Sequence, residues 1–251
     1  MRLPRTWEGG HVGYVAVLRQ LKSCGFRTRG QRGQQLRFPA ELFDVIADAV
    51  QLFWNLDLLG AVWRALAEAT AEDVGKIAGA DGYIYNTKAA AEAVATGNAV
   101  AMIAYVGNAS DCTNGLAIAL EDVSSNALSW KNSGSNNGGK TAAEWCSAWN
   151  TSKAVTGGTW RLPSIKDWQN MLIGCGASGT VSDSPSSMSY SGLASKLSTA
   201  DGTALQSDHY WSSTESLPGY GAWCLRFDGS SADFSVGSEV SGYLVRAFLA
   251  F

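Results

Sequence analysis

The side chains best suited to bond-making chemistry in this chain are two histidines and five cysteines, and their spacing argues against such chemistry. His11 and His209 lie near opposite ends. Cys24, Cys112, Cys146, Cys175 and Cys224 contain no C-x-x-C pair, and no His/Cys group has the spacing of a zinc site. An odd number of thiols leaves at least one unpaired in a monomer. A disulfide among the last four stays open, because sequence alone does not place their Cα atoms. His209 precedes Tyr210, but neither a Ser/His/Asp spacing nor a pair of carboxylates accompanies it. These observations point away from catalysis. The expectation is a protein that is not an enzyme and uses no metal or cofactor.

Recognition is the other chemistry on offer, and it concentrates in residues 210–251. Trp223, Leu225 and Phe227 alternate with Cys224, Arg226 and Asp228, and Ala232, Phe234 and Val236 alternate with Asp233 and Ser235. Period two predicts two half-buried strands, and Asp228-Gly229 between them predicts a hairpin turn. The outward set is then Cys224, Arg226, Asp228, Ser231, Asp233 and Ser235. A loop over 216–221 supplies Ser216, Leu217, Pro218, Gly219 and Tyr220. A second loop over 237–242 supplies Ser238 and Val240, with Leu244 just beyond it. Together these residues form a candidate ligand-binding patch, with Tyr220 and Arg226 as its energetic anchors. Binding side chains favour loops held by a rigid scaffold. An ordinary solvated face of an antiparallel sheet carries the same mixture, so on these residues alone both readings stand.

The elements that must position this patch are short. Tyr83–Tyr85, Ala99–Val106 and Leu116–Leu120 predict strands, and Lys88–Ala95 and Thr141–Trp149 predict helices. Ser164 followed by Asp167 resembles a capping box ahead of Ile165, Trp168, Met171 and Leu172 at helical spacing, with Gly174 or Gly176 to end the helix. Gly192–Leu197 predicts a further short helix, and 243–251 a last strand. A hydrophobic fraction of 46% is ample for a core.

The N-terminal part has a different character. Residues 1–70 hold 9 of the 19 basic and 6 of the 22 acidic residues, so the remainder is acidic. A Gly/Gln/Arg arm occupies 1–38, and the apolar stretch 40–71 predicts a helix after Pro39. No aromatics interleave with the arginines and the net charge is −3, so no nucleic-acid partner is expected. Asp44, Asp48 and Asp57 interrupt the apolar run, which excludes a membrane span there. The early apolar run is broken by Gly13 and Arg19, so a secretory leader is not expected either.

Four segments in order carry a resemblance: LAIALEDVS at 116–124, a Gly-x-WRLPS-x-x-DW pattern at 158–168, GTALQS followed by YWSST within 202–214, and VRAFLAF at 245–251. Over roughly 74–251 the chain resembles the variable proteins of diversity-generating retroelements, within the superfamily that includes formylglycine-generating enzymes. The resemblance implies an α+β, C-type-lectin-like fold with two main helices and a twisted antiparallel sheet at 74–251. Residues 1–73 would precede it as a helical or partly disordered extension through which the protein could assemble. It also implies a C-terminal segment, about 210–251, diversified by adenine-directed mutagenesis to bind a protein or glycan on another cell or particle, and hence display at a cell or phage surface. The alternatives on the same resemblance are a structural adhesin at a phage or pilus tip and a copper-dependent oxidase. The Glu-Pro-Asn and Trp-Asn-Asp motifs of calcium-dependent sugar-binding lectins are absent. The oxidase needs a cysteine pair near the C-terminus, where this chain has Cys224 alone.

Overall fold

The computed structural model describes residues 64–109, 112–131 and 137–251. The arm expected over 1–38 and most of the helix expected over 40–71 lie outside them. The first elements are β1 (Arg64–Ala65), β2 (Ile77–Gly79), β3 (Tyr83–Tyr85), α1 (Lys88–Val94), β4 (Ala99–Val106), β5 (Gly115–Ala119) and β6 (Leu128–Ser129). Next come α2 (Ala142–Ser147), α3 (Trp149–Ser152), β7 (Thr159–Arg161), α4 (Ile165–Gly174), β8 (Met188–Ser189) and α5 (Ser191–Thr199). The chain ends with β9 (His209–Leu217), β10 (Gly221–Asp228), β11 (Ser231–Ser238), β12 (Gly242–Tyr243) and β13 (Phe248–Ala250). The architecture is α+β. One antiparallel sheet has the order β1-β3-β2-β4-β5-β13-β7, a second has the order β8-β11-β10-β9, and β12 pairs with β6.

Residues 64–71 depart from the helical expectation. Arg64 and Ala65 lie extended against Ile84 and Tyr83, and Leu66–Glu68 forms a 3-10 turn. The reason is tertiary. Leu66 is buried in the core, and the Arg64 guanidinium reaches the buried Asp73 carboxylate at 2.7 Å. That carboxylate also caps Thr70 and pairs with Lys76. Residues 64–73 therefore pack as part of this domain.

The seven-stranded sheet is buried on both faces, which is why its strands read as continuous apolar runs rather than alternations. Met102, Ile118 and Phe248 stand abreast on one face, and Ile103, Ala117, Leu249 and Trp160 on the other. The C-terminal strand β13 thus sits inside the sheet, between β5 and β7. The last strand expected over 243–251 is interrupted between β12 and β13. There the backbone serves other partners: Leu244 bonds His209 and Trp211, Val245 accepts from Val123, and Ala247 accepts from Ala119.

Helix α4 packs on the first face. Its capping box is formed: the Ser164 hydroxyl accepts from the Asp167 N–H at 3.1 Å, and Asp167 accepts from the Ser164 N–H at 2.6 Å. Asp167 is fully buried, and Arg161 grips both its oxygens. Gly176 rather than Gly174 ends the helix. Its φ is +108°, and the Ala177 N–H reaches back to the Leu172 carbonyl while the Gly176 N–H bonds Ile173, a Schellman arrangement. The helix expected over 141–149 is split, with Trp149 opening α3 and packing edge-on against Trp160. Cys146, Cys175 and Cys224 are buried free thiols, and Cys112 is buried as well. Among the described residues no helix is long and apolar enough to cross a membrane.

Candidate functional site

Strands β9, β10 and β11 form the ribbon that carries the candidate patch. The β10–β11 register is unbroken from Gly221 opposite Ser238 to Asp228 opposite Ser231. The turn between them is therefore only Gly229–Ser230, with Gly229 at φ +59°, a backbone state that glycine adopts without a Cβ penalty. One ribbon face is core: Tyr210, Leu225, Phe227 and Ala232 are buried beneath α4, and Trp223 and Phe234 are packed half-buried beside them. Val236 continues that face but is 46% exposed, because the ribbon runs past the edge of the core.

The other face was expected to be open along its length, and it is open over only part of it. Cys224 is fully buried, which corrects its assignment to the patch. Trp211 and Tyr243 close over this end of the face, where Ala222 and Cys224 join the second core cluster. The Tyr243 ring lies between Trp211 (4.4 Å between centroids) and His209 (4.7 Å, stacked). Gly237 makes room for it, since a Cβ there would sit 2.4 Å from the Tyr243 ring. Burial pushes the Cys224 thiol up despite a bond with Ser235. Cys175 is pushed up to about 12 by the same cause. These thiols are poor nucleophiles. Leu244 is also misassigned by the sequence. It is buried, donating to the His209 carbonyl at 2.9 Å and accepting from the Trp211 N–H at 3.0 Å.

Beyond Cys224 the face is polar and exposed. Arg226 stands opposite Asp233 and 3.6 Å from Asp228. Ser231 donates to Asp233 at 3.0 Å and exchanges a bond with Ser187. Bonds from Ser187 and Ser231, with Arg226 nearby, hold the Asp233 carboxyl below the usual range. Ser235 is half-buried and stands directly opposite Cys224.

The two expected loops lie together at the opposite end of the ribbon, since Gly221 pairs with both Leu217 and Ser238. The first is tighter than expected. Ser216 and Leu217 still belong to β9, and Pro218–Tyr220 makes the turn, pinned by Glu215 accepting from the Gly219 N–H at 2.7 Å. Tyr220 is 81% exposed, Val240 67% and Leu217 61%, so this end is apolar where the other is charged. Ser238 is exposed beside them. The patch is therefore bipartite, its halves separated by the Trp211–Tyr243 closure.

Glu239 was not among the residues expected in the patch. It is 3% exposed, pairs with Lys131, and its backbone carbonyl accepts from the Lys131 N–H at 3.2 Å. It ties the second loop to the β6 segment. Glu239→Ala is expected to lower stability by about 1–3 kcal/mol and to speed amide exchange at Lys131. A thermal melt and hydrogen exchange check both. Tyr220→Ala is the exposed control, expected within about 0.5 kcal/mol of wild type.

Chemically, the site offers aromatic and aliphatic contact at one end and a guanidinium framed by carboxylates at the other. His209 Nδ1 lies 3.5 Å from Asp208, but the nearest thiol face is closed by Trp211 and Tyr243. Among the described residues no group of three or more His, Cys, Asp or Glu could hold a metal ion.

No protein-family model matches the chain, and no curated protein matches it. Among solved structures, it is similar to a fimbrial protein from Bacteroides ovatus, at 13% identity and a TM-score of 0.43. The match covers 71% of this chain and 48% of that one, so the chain spans about half the length of that structure.

Proposed function

We propose that the chain is a ligand-binding protein and not an enzyme, with the C-type-lectin-like fold of retroelement variable proteins. Its ribbon would present a diversified surface to a protein or glycan on another cell or particle. What supports this most is the set of residue types between 216 and 244 and the place of its one exception. Adenine-directed randomisation of an Asn codon cannot produce Glu, Gln, Lys, Met or Trp. Across 216–221, 224, 226, 228, 231, 233 and 235–244, Glu239 alone falls outside that set. Glu239 is also a buried residue with a structural partner, Lys131. The exposed Leu217, Tyr220, Arg226, Asp233 and Val240 all fall inside it. The one exception is thus anchored by burial and an ion pair, while the exposed positions carry chemically unrelated residues that such randomisation can produce.

With Cys224 and Leu244 returned to the frame, the binding surface is the 216–220 tip with Ser238 and Val240, plus the polar half from Arg226 to Ser235. Tyrosine, arginine, serine and glycine together suit adaptable recognition. Tyr220 is the aromatic anchor of one half and Arg226 the charged anchor of the other.

Sequencing the DNA around the gene tests this. The expected result is a second, near-identical copy of the segment encoding 210–251 beside a reverse transcriptase gene. Its differences should fall at adenine-bearing codons of exposed positions, with codons 224, 239 and 244 unchanged. A locus with neither repeat nor reverse transcriptase overturns the proposal, and so does a repeat whose differences fall on Leu225 and Phe227.

A further inference from the structure

The four-stranded sheet has two edges, and the chain treats them differently. On the β9 side the backbone is occupied: Trp211 donates to Leu244, Leu244 to His209 and Ser213 to Pro163, at 3.0, 2.9 and 2.7 Å. Irregularities also break the β9–β10 register. On the β11 side β8 covers only Ser231 and Ala232. Tyr190 donates to the Ser230 carbonyl on that side. Backbone groups alternate in direction along a strand, so Phe234 and Val236 aim their N–H and C=O at the same edge. Among the described residues nothing pairs with them there. Residues 233–238 (DFSVGS) contain no Lys, Arg or Pro, and their pairing with β10 has no bulge. Those are the devices that normally blunt an edge.

We infer that this edge pairs with the same edge of a second copy, antiparallel about a two-fold axis through Ser235. Residues that bond outward must face one another. In this register Phe234 lies opposite the partner's Val236, and Val236 opposite the partner's Phe234, so apolar side chains meet on one face. Asp233, the one charged residue of the strand, lies opposite the partner's Gly237, so like charges do not oppose each other. A nearly neutral, self-complementary edge fits another copy better than a charged partner strand. The axis stands perpendicular to the sheet, which turns the Arg226–Asp233 faces of both copies the same way and makes the surface bivalent. Main-chain bonding also tolerates side-chain changes at 235 and 238. The pairing stands whether or not those positions are diversified.

Sedimentation equilibrium of the full chain, from micromolar to near-millimolar concentration, tests this. The expected result is a reversible monomer–dimer equilibrium that Val236→Lys and Val236→Pro each weaken by about tenfold or more. Val240→Lys, exposed but off the edge, leaves it unchanged. Proline at 236 removes a donor aimed at the edge, not one used by β10. Thermal unfolding checks that this variant folds, and the lysine variant decides the matter if it does not. A wild-type chain that stays monomeric overturns the inference and leaves the edge to a strand of some other protein. An assembly equally strong in the Val236 variants overturns it as well.

Discussion

Trp168→Ala is expected to remove about 3–5 kcal/mol of stability, the usual loss for emptying a large buried aromatic site. Trp168 is fully buried at the joint between the two sheets. Its ring meets Phe248 of β13 at 4.6 Å between centroids, Phe227 of β10 at 5.7 Å and Tyr210 of β9 at 6.1 Å. Its indole N–H points to the Trp211 carbonyl at 3.4 Å, a long bond that contributes less than the packing. No single smaller residue can touch α4, the large sheet and the ribbon together, so the cavity would not collapse from one side. At roughly 2–4 °C per kcal/mol for a domain of this size, the melting temperature should fall by about 6–20 °C. Trp168→Phe keeps one ring in place and should lose less than half as much. Urea unfolding of both variants measures this. Near-equal losses would mean that the joint is held by the surrounding strands instead. The functional consequence is that the ribbon is oriented from beneath, and its exposed residues can change without loosening it.

That separation was partly legible in the sequence. The alternation at 223–228 and 232–236 located β10 and β11, Asp228-Gly229 located their turn, and Ser164 with Asp167 located the start of α4. Each is a local signal, set by period, turn chemistry or capping. Cys224 and Leu244 were misassigned because their burial comes from elsewhere in the chain. Cys224 has the outward parity of Arg226, but Trp211 from β9 and Tyr243 from β12 close over it. The β9 irregularity opposite Ala222 and Cys224 leaves no mark on a period-two pattern. Val236 fails in the other direction: its parity is inward, but the core ends before the strand does. Glu239 was the one position where sequence hinted at a constraint, through its codon, and where the physical cause needed Lys131, far away in sequence, to be seen.

Asp122→Ala is expected to cost about 3–5 kcal/mol because it strands a buried cation. Arg246 is fully buried. Its Nε donates to Asp122 at 2.6 Å, and its two terminal nitrogens donate to the carbonyls of Ala119 and Thr203 at 3.0 and 3.1 Å. Asp122 also accepts from the Tyr210 hydroxyl at 3.3 Å. One guanidinium thereby ties the C-terminal segment to the end of β5, to the segment before β9 and, through Asp122, to β9 itself. Removing the carboxylate leaves those carbonyl bonds but no countercharge for a fully buried guanidinium. The double variant Asp122→Ala/Arg246→Met removes the charge along with its partner and fills most of the volume with a flexible apolar chain. It should therefore be more stable than Asp122→Ala alone, although it loses more hydrogen bonds. That inversion separates electrostatic stranding from simple loss of contacts. If the double variant is the less stable of the two in urea unfolding, the carbonyl bonds made by Arg246 outweigh its charge pairing, and the segment is held mainly through its backbone partners.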